Sequence, residues 1–186
     1  SSPESVCHSR TKSCMTLGAL VKSVAYLEGE FILRSGKKSN YYLDKYLFET
    51  QYHVLDQLTD AFKEKIESTY LDYDVLAAPE LGAVSIVAAL SLKLKKNFVI
   101  IRKDQKDYGT AKQVEGSLLG VKRALIIEDI LTTGGAAIKS ADALKALGVD
   151  IVAIVGTIDR LQGAQACIEQ AGYRYDTLLT KMDLGL

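Results

Sequence analysis

The stretch Ala124-Leu125-Ile126-Ile127-Glu128-Asp129-Ile130-Leu131-Thr132-Thr133-Gly134-Gly135-Ala136-Ala137-Ile138 decides how this chain is read. Its apolar run, 124–127, has the character of a short strand buried on both faces of a parallel sheet, and it ends in two adjacent carboxylates. A turn of threonine and glycine follows, then an amphipathic helix over about 136–147. Glycine lets a backbone approach a ligand closely. A helix N-terminus presents unpaired N–H groups and the positive end of its dipole, so turn and helix together form an anion cradle, with the Thr132 and Thr133 hydroxyls as further donors. Glu128 and Asp129 stand at the carboxyl end of the strand, where open α/β sheets bind ligands. Two carboxylates would repel a phosphate, so they suit ribose hydroxyls or a metal ion. The segment therefore points to a sugar-phosphate substrate and to an enzyme.

Outward from this segment the pattern is regular. Helical spacing marks 17–27 and 54–66, and a helix is predicted over 82–94. Strands are predicted at 31–33 and 41–43 around a polar loop, 34–40, and then at 74–78, 98–101, 124–128, 151–157 and 175–179. Gly148 and Gly172 end the helices predicted over 136–147 and 164–171. Such alternation predicts an α/β fold, a central parallel sheet with helices on both faces. One stretch, 103–116, is polar, charged and long for a connection inside a domain, as functional loops are. Its lysines and the neighbouring Arg102 suit a polyanion such as diphosphate.

The length of 186 residues fits one domain. Residues 1–14 are polar, serine-rich and without periodicity or the apolar core of a secretory signal. They are expected to be a disordered extension or cloning remnant, with Met15 a plausible native start. A formal net charge of zero argues against nucleic acid or an anionic membrane as partner. No apolar run approaches the roughly 20 residues that span a bilayer. Cys7, Cys14 and Cys167 lack metal or disulfide spacing and read as reduced thiols of a cytoplasmic protein. His8 and His53 do not by themselves build a zinc site.

The strand, acid pair and Thr/Gly loop resemble the 5-phosphoribosyl 1-diphosphate (PRPP) motif of the type I phosphoribosyltransferases. Three further segments narrow the resemblance to the orotate phosphoribosyltransferase family. Phe31-Ile32-Leu33-Arg34-Ser35-Gly36-Lys37-Lys38-Ser39-Asn40-Tyr41-Tyr42-Leu43-Asp44 is similar to its orotate-binding segment. Arg102-Lys103-Asp104-Gln105-Lys106-Asp107-Tyr108-Gly109 is similar to its mobile catalytic loop, and Asp159-Arg160-Leu161-Gln162-Gly163-Ala164 to its Asp-Arg signature. The likeness runs from about residue 17 to about residue 183.

The resemblance implies the type I phosphoribosyltransferase fold as a single domain over 15–186, with a small N-terminal hood over about 15–45 and a core over about 50–186. It implies transfer of the phosphoribosyl group of PRPP to orotate, giving orotidine 5′-monophosphate and diphosphate, with Mg²⁺ as cofactor. Glu128 and Asp129 would hold the ribose hydroxyls, and Thr132, Thr133, Gly134, Gly135 and Ala136 the 5′-phosphate. Glu80, Leu81 and Gly82, after Pro79, would form the diphosphate loop, which in this family often carries a non-proline cis peptide. Arg102, Lys103, Lys106 and Tyr108 would meet the diphosphate, with Lys106 and Asp129 the catalytic pair. Arg34, Arg160 and Thr132 would meet orotate, and Tyr41 or Tyr42 would stack on its ring. No residue is implied as a certain metal ligand; Mg²⁺ would be held mainly by PRPP, in the neighbourhood of Asp129. A homodimer is implied, with loop 103–116 shared across subunits.

The chain departs from the family at three positions. Tyr108 stands where bacterial members have His, in a form similar to the transferase half of animal UMP synthase. A tyrosine there donates a hydrogen bond but stays neutral near pH 7. Leu81 replaces a lysine of many members and removes a phosphate contact. Arg34 replaces a lysine and permits bidentate pairing with a carboxylate. Two other functions fit these residues less well. A purine or uracil phosphoribosyltransferase would need no cation for a base carboxylate, and a catalytically inactive PRPP-sensing regulator would not need Lys103, Lys106 and the acid pair.

Overall fold

A computed structural model describes residues 14–104 and 112–186. Thr16 caps α1 (Leu17–Ala25) by accepting from the Ala19 N–H at 3.2 Å. The helix was expected to reach residue 27. It ends at Ala25 because the chain enters a strand, β1 (Tyr26–Ile32), in which Leu27 pairs with Tyr42 and lies exposed. β1 pairs antiparallel with β2 (Lys38–Leu43) in a two-stranded sheet of its own. The loop expected over 34–40 is therefore shorter. A turn closes between Leu33 and Lys37, whose N–H and carbonyl meet at 2.8 Å.

Asp44 then accepts from the Tyr46 N–H at 3.1 Å and starts α2 (Lys45–Glu49). Periodicity did not reveal this helix, because so few residues do not display a 3.6-residue repeat. The long α3 (Tyr52–Thr69) follows, burying Val54, Leu58, Phe62 and Ile66 on one face. The remaining elements alternate: β3 (Val75–Pro79), α4 (Gly82–Leu94), β4 (Phe98–Ile101), β5 (Val114–Glu115), β6 (Arg123–Leu131), α5 (Gly135–Ala146), β7 (Asp150–Asp159), α6 (Ala164–Gln170) and β8 (Tyr175–Thr180). A 3₁₀ turn, Lys181–Leu184, closes the chain with a capping box between Thr180 and Asp183.

The six-stranded sheet runs β5-β4-β3-β6-β7-β8. Its strands are parallel except β5, which pairs antiparallel with β4. That pairing corrects the expected loop: 114–115 belong to the sheet edge. One apolar cluster joins α1, α3 and α4 to one face of the sheet, and a second joins α5 and α6 to the other. Every residue of β3 is buried, as a strand covered on both faces must be. From β3 the chain winds outward to β4, and from β6 it winds the other way to β7. The order of strands thus reverses between β3 and β6, and ligands bind beyond the carboxyl ends of strands at such a switch point. Among the described residues no helix is long and apolar enough to cross a membrane.

Candidate active site

β6 runs to Leu131, three residues past the end expected from the sequence, because its pairing with β7 continues to Leu131 opposite Asp159. Glu128 and Asp129 therefore lie inside the strand, and both are buried. The Asp129 Oδ1 accepts from the Ile130 N–H at 2.7 Å, and the buried Thr157 hydroxyl donates to the Glu128 carbonyl at 2.8 Å. Past Leu131, Thr132 and Thr133 are exposed. Gly134, at φ 87°, starts α5 with no side-chain cap. The first helical bond runs from the Ile138 N–H to the Gly134 carbonyl, and the amides of Gly135, Ala136 and Ala137, with no intrahelical partner among the described residues, are donors suited to an anion. A side chain at Gly134 would press on the Ala164 carbonyl, about 3.2 Å from its Cβ, so the turn has both a conformational and a steric need for glycine.

Across the switch point, Asp129 meets α2 and α4. Its Oδ2 lies 2.7 Å from the Lys45 Nζ. Glu49, one turn after Lys45, is 1% exposed, and neither of its carboxyl oxygens has a hydrogen-bond partner among the described residues. A Cβ at Gly82 would overlap the Asp129 Oδ2 and come within 2.7 Å of the Glu49 Oε2, so the missing side chain of Gly82 makes room for both carboxyls. Burial, then the Asp129 charge, pushes the Glu49 carboxyl up to about 9, so Glu49 is neutral at pH 7. Burial and the same neighbour also raise Glu128. Burial works to raise Asp129 too, but the Lys45 ammonium and the Ile130 amide outweigh it and hold Asp129 below the usual carboxylate range. Asp129 is thus held as a carboxylate, while its two acidic neighbours are pushed the other way.

The loop after β3 faces this group. Its Glu80–Leu81 peptide is cis, and Leu81 is exposed. The Glu80 carboxylate accepts from the Lys103 N–H at 2.5 Å. The Arg102 N–H donates to the Gln113 carbonyl at 2.8 Å, closing the base of the polar loop. The Arg102 Nε is buried without a partner among the described residues. On the other side of β6, the Arg160 N–H donates to the Leu131 carbonyl at 2.9 Å, which sets the Asp-Arg turn beside the phosphate cradle.

Residues 49–171 match the model of the phosphoribosyl transferase domain. Orotate phosphoribosyltransferase of Pyrococcus horikoshii is 42% identical over 156 residues, 84% of each chain. The chain belongs to the orotate phosphoribosyltransferase family. The family's enzyme from Natronomonas pharaonis is 36% identical over 90% of this chain and 94% of its own. The crystal structure of the Mycobacterium tuberculosis orotate phosphoribosyltransferase in complex with PRPP superposes with a TM-score of 0.77, at 28% identity over 91% of this chain and 97% of that one.

The structure brings together Glu128, Asp129, Thr132, Thr133, Gly134, Gly135, Ala136, Glu80, Leu81, Gly82, Lys103 and Arg160 at the ends of β3, β4, β6 and β7. Arg34 is set apart. It lies exposed in the β1–β2 turn, and no hydrogen bond or ion pair joins it to the acids or to Arg160 among the described residues. Tyr41 stacks on Tyr26 with ring centroids 5.5 Å apart, whereas Tyr42 packs against Phe31 at 5.6 Å. Neighbouring residues of a strand face opposite ways, so these two rings do not share one base. Lys106 and Tyr108 lie outside the described residues. Sequence reasoning missed Lys45 and Glu49. Their i, i+4 spacing directly after the hood strand was the available signal, but nothing local shows that both face Asp129.

Proposed function

We propose that this chain transfers the 5-phosphoribosyl group of PRPP to orotate, giving orotidine 5′-monophosphate and diphosphate. The observation that carries the reading is the switch point itself. It gathers an acid pair for the ribose diol, a free helix N-terminus for the 5′-phosphate and the β3 loop for the diphosphate within one crevice. Membership in the orotate phosphoribosyltransferase family supports the choice of base, as does Arg160 beside the cradle, a cation suited to a base bearing a carboxylate.

The bond from C1′ to diphosphate breaks as positive charge develops on the sugar ring. Asp129, held ionised, accepts from a ribose hydroxyl and fixes the ring, while the amides of 135–137 fix the 5′-phosphate. Arg102, Lys103 and Lys106 neutralise the departing diphosphate, and Lys106 acts as the principal electrostatic or acid catalyst. Orotate arrives as an anion, so the transfer needs no strong general base. The oxygen donors of the crevice suit a hard cation, but Asp129 is already paired with Lys45. Among the described residues no three ligating side chains converge. The arrangement thus suits a Mg²⁺ carried in by the diphosphate of PRPP rather than one caged by protein. When bound, that ion supplies charge neutralisation on the leaving group.

The family likeness further supports a homodimer sharing loop 103–116 across subunits. The free Cys14 and Cys167 suit action in the cytoplasm. Loss of orotate absorbance on adding PRPP, dependent on Mg²⁺, tests the assignment. Consumption of PRPP with a purine or uracil but not with orotate would reject it.

A further inference from the structure

We infer that Lys45 is a positioning residue for the ribose-binding carboxylate, so that α2 forms a wall of the sugar site. The inference rests on the phosphoribosyl reading of Asp129 given above. An exposed ion pair contributes little, roughly 0–1 kcal/mol, and would carry no such role. This pair is different. The Asp129 side chain is only 6% exposed, and its Oδ2 faces the Lys45 ammonium at 2.7 Å. Its Oδ1 is taken by the Ile130 amide, so one hydrogen bond and one ion pair act on the carboxylate. Glu128 is buried beside it in the strand, and the Glu49 carboxyl stands without a hydrogen-bond partner among the described residues. The Lys45 charge acts on all three acids. Without it, Asp129 would face the buried Glu49 carboxyl across the space left by Gly82, with Glu128 buried next to it in the strand, and a buried charge that loses its partner either moves or takes up a proton. Either change removes the ionised, fixed acceptor that a ribose hydroxyl needs. Lys45 acts through Asp129 and not on the reacting atoms.

The test uses ribose 5-phosphate in the absence of metal, titrated calorimetrically into the whole chain, its Lys45→Met and Lys45→Arg variants, with inorganic phosphate as a second ligand. Lys45→Met should weaken ribose 5-phosphate by about tenfold, the worth of one charge-assisted hydrogen bond. Inorganic phosphate, which needs only the 132–136 loop, should change by no more than about twofold, as expected of separate subsites. Lys45→Arg should recover most of the sugar affinity. In steady-state assays KM for PRPP should rise while KM for orotate does not. Should Lys45→Met not fold, Lys45→Gln removes the same charge and is read in its place. Equal ribose 5-phosphate affinity in wild type and the uncharged variant overturns the inference, and so does a wild-type chain that binds no ribose 5-phosphate. If orotate is not consumed but the affinity loss is seen, the transfer reading fails and the positioning role stands.

Discussion

The Tyr175 hydroxyl donates to the Asp159 Oδ2 at 2.5 Å, across the β7–β8 pair, while Oδ1 of the same carboxylate accepts from the Leu161 N–H at 2.8 Å. Asp159 is 1% exposed, and Leu161 sits at φ 59°, a left-handed conformation that a side chain adopts only when its surroundings hold it. Between them lies Arg160. Burial, then the Asp159 charge, raises the Tyr175 phenol above its ordinary value, so it remains a donor well into alkaline pH. Tyr175→Phe should therefore loosen the Arg160 turn. We expect KM for orotate to rise several-fold with KM for PRPP little changed, and a stability loss of about 1–3 kcal/mol from the unsatisfied buried carboxylate. Equal rises in both KM values would show that the network serves the whole fold and not the base site.

Gly82 is needed for the approach of Asp129 and Glu49 to the first turn of α4. Gly82→Ala inserts a methyl group where the Asp129 carboxylate stands. The carboxylate is pinned by an amide and an ammonium, so it cannot move aside cheaply. Overpacking of this kind costs about 1–3 kcal/mol. Denaturant unfolding should show that loss together with weaker PRPP binding; wild-type values for both would mean that the crevice is looser than this geometry allows.

Glu49 makes stability depend on pH. Its ordinary value is 4.5, and burial with the Asp129 charge pushes it up to about 9 in the folded chain. The folded state thus binds this proton more tightly than the unfolded one. The resulting stability is fully present below about pH 4.5 and is lost as pH rises through about 9. Glu49→Gln lacks the titrating group, so its melting temperature relative to wild type should climb steadily between about pH 5 and about pH 9. Parallel melting profiles would show that Glu49 titrates normally.

The proposed transfer rests its electrostatic catalysis on Lys106 of the polar loop. Lys106→Ala should lower kcat by roughly 10²-fold or more, the scale seen when one preorganised electrostatic stabiliser is removed, with an unchanged melting temperature. If the loop serves the neighbouring subunit, mixing Lys106→Ala with Asp129→Asn chains should restore activity, since some mixed dimers hold one intact site. No recovery on mixing, with dimers shown by sedimentation, would place the loop over its own subunit's site.

Much of this was legible before any fold was known. The apolar run 124–127, the acids, the Thr/Gly turn and the helix are contiguous, so their chemistry depends on local order alone. The family resemblance, rather than local order, supplied Asp159-Arg160, which the structure sets beside the β6 end, and the cis peptide of the diphosphate loop, which stands at Glu80–Leu81. Short elements were not legible. α2 is too brief to show a period, and β5 exists only because β4 offers it an edge. The length of β6 was underestimated because its last residues are strand through pairing with β7, a partner distant in sequence.

The amino-acid sequence by itself determined the class of fold, the phosphate cradle and the acid pair, because each rests on neighbours along the chain and on hydrophobic periodicity. Only the tertiary structure decided which acid is ionised. Glu128 and Asp129 are adjacent carboxyls of the same strand, and nothing in their order distinguishes them. Packing brings the Lys45 ammonium to Asp129 and leaves Glu49 and Glu128 buried beside it. In a poorly solvated site, the carboxyl that has the cation is held low and its buried neighbours are pushed up.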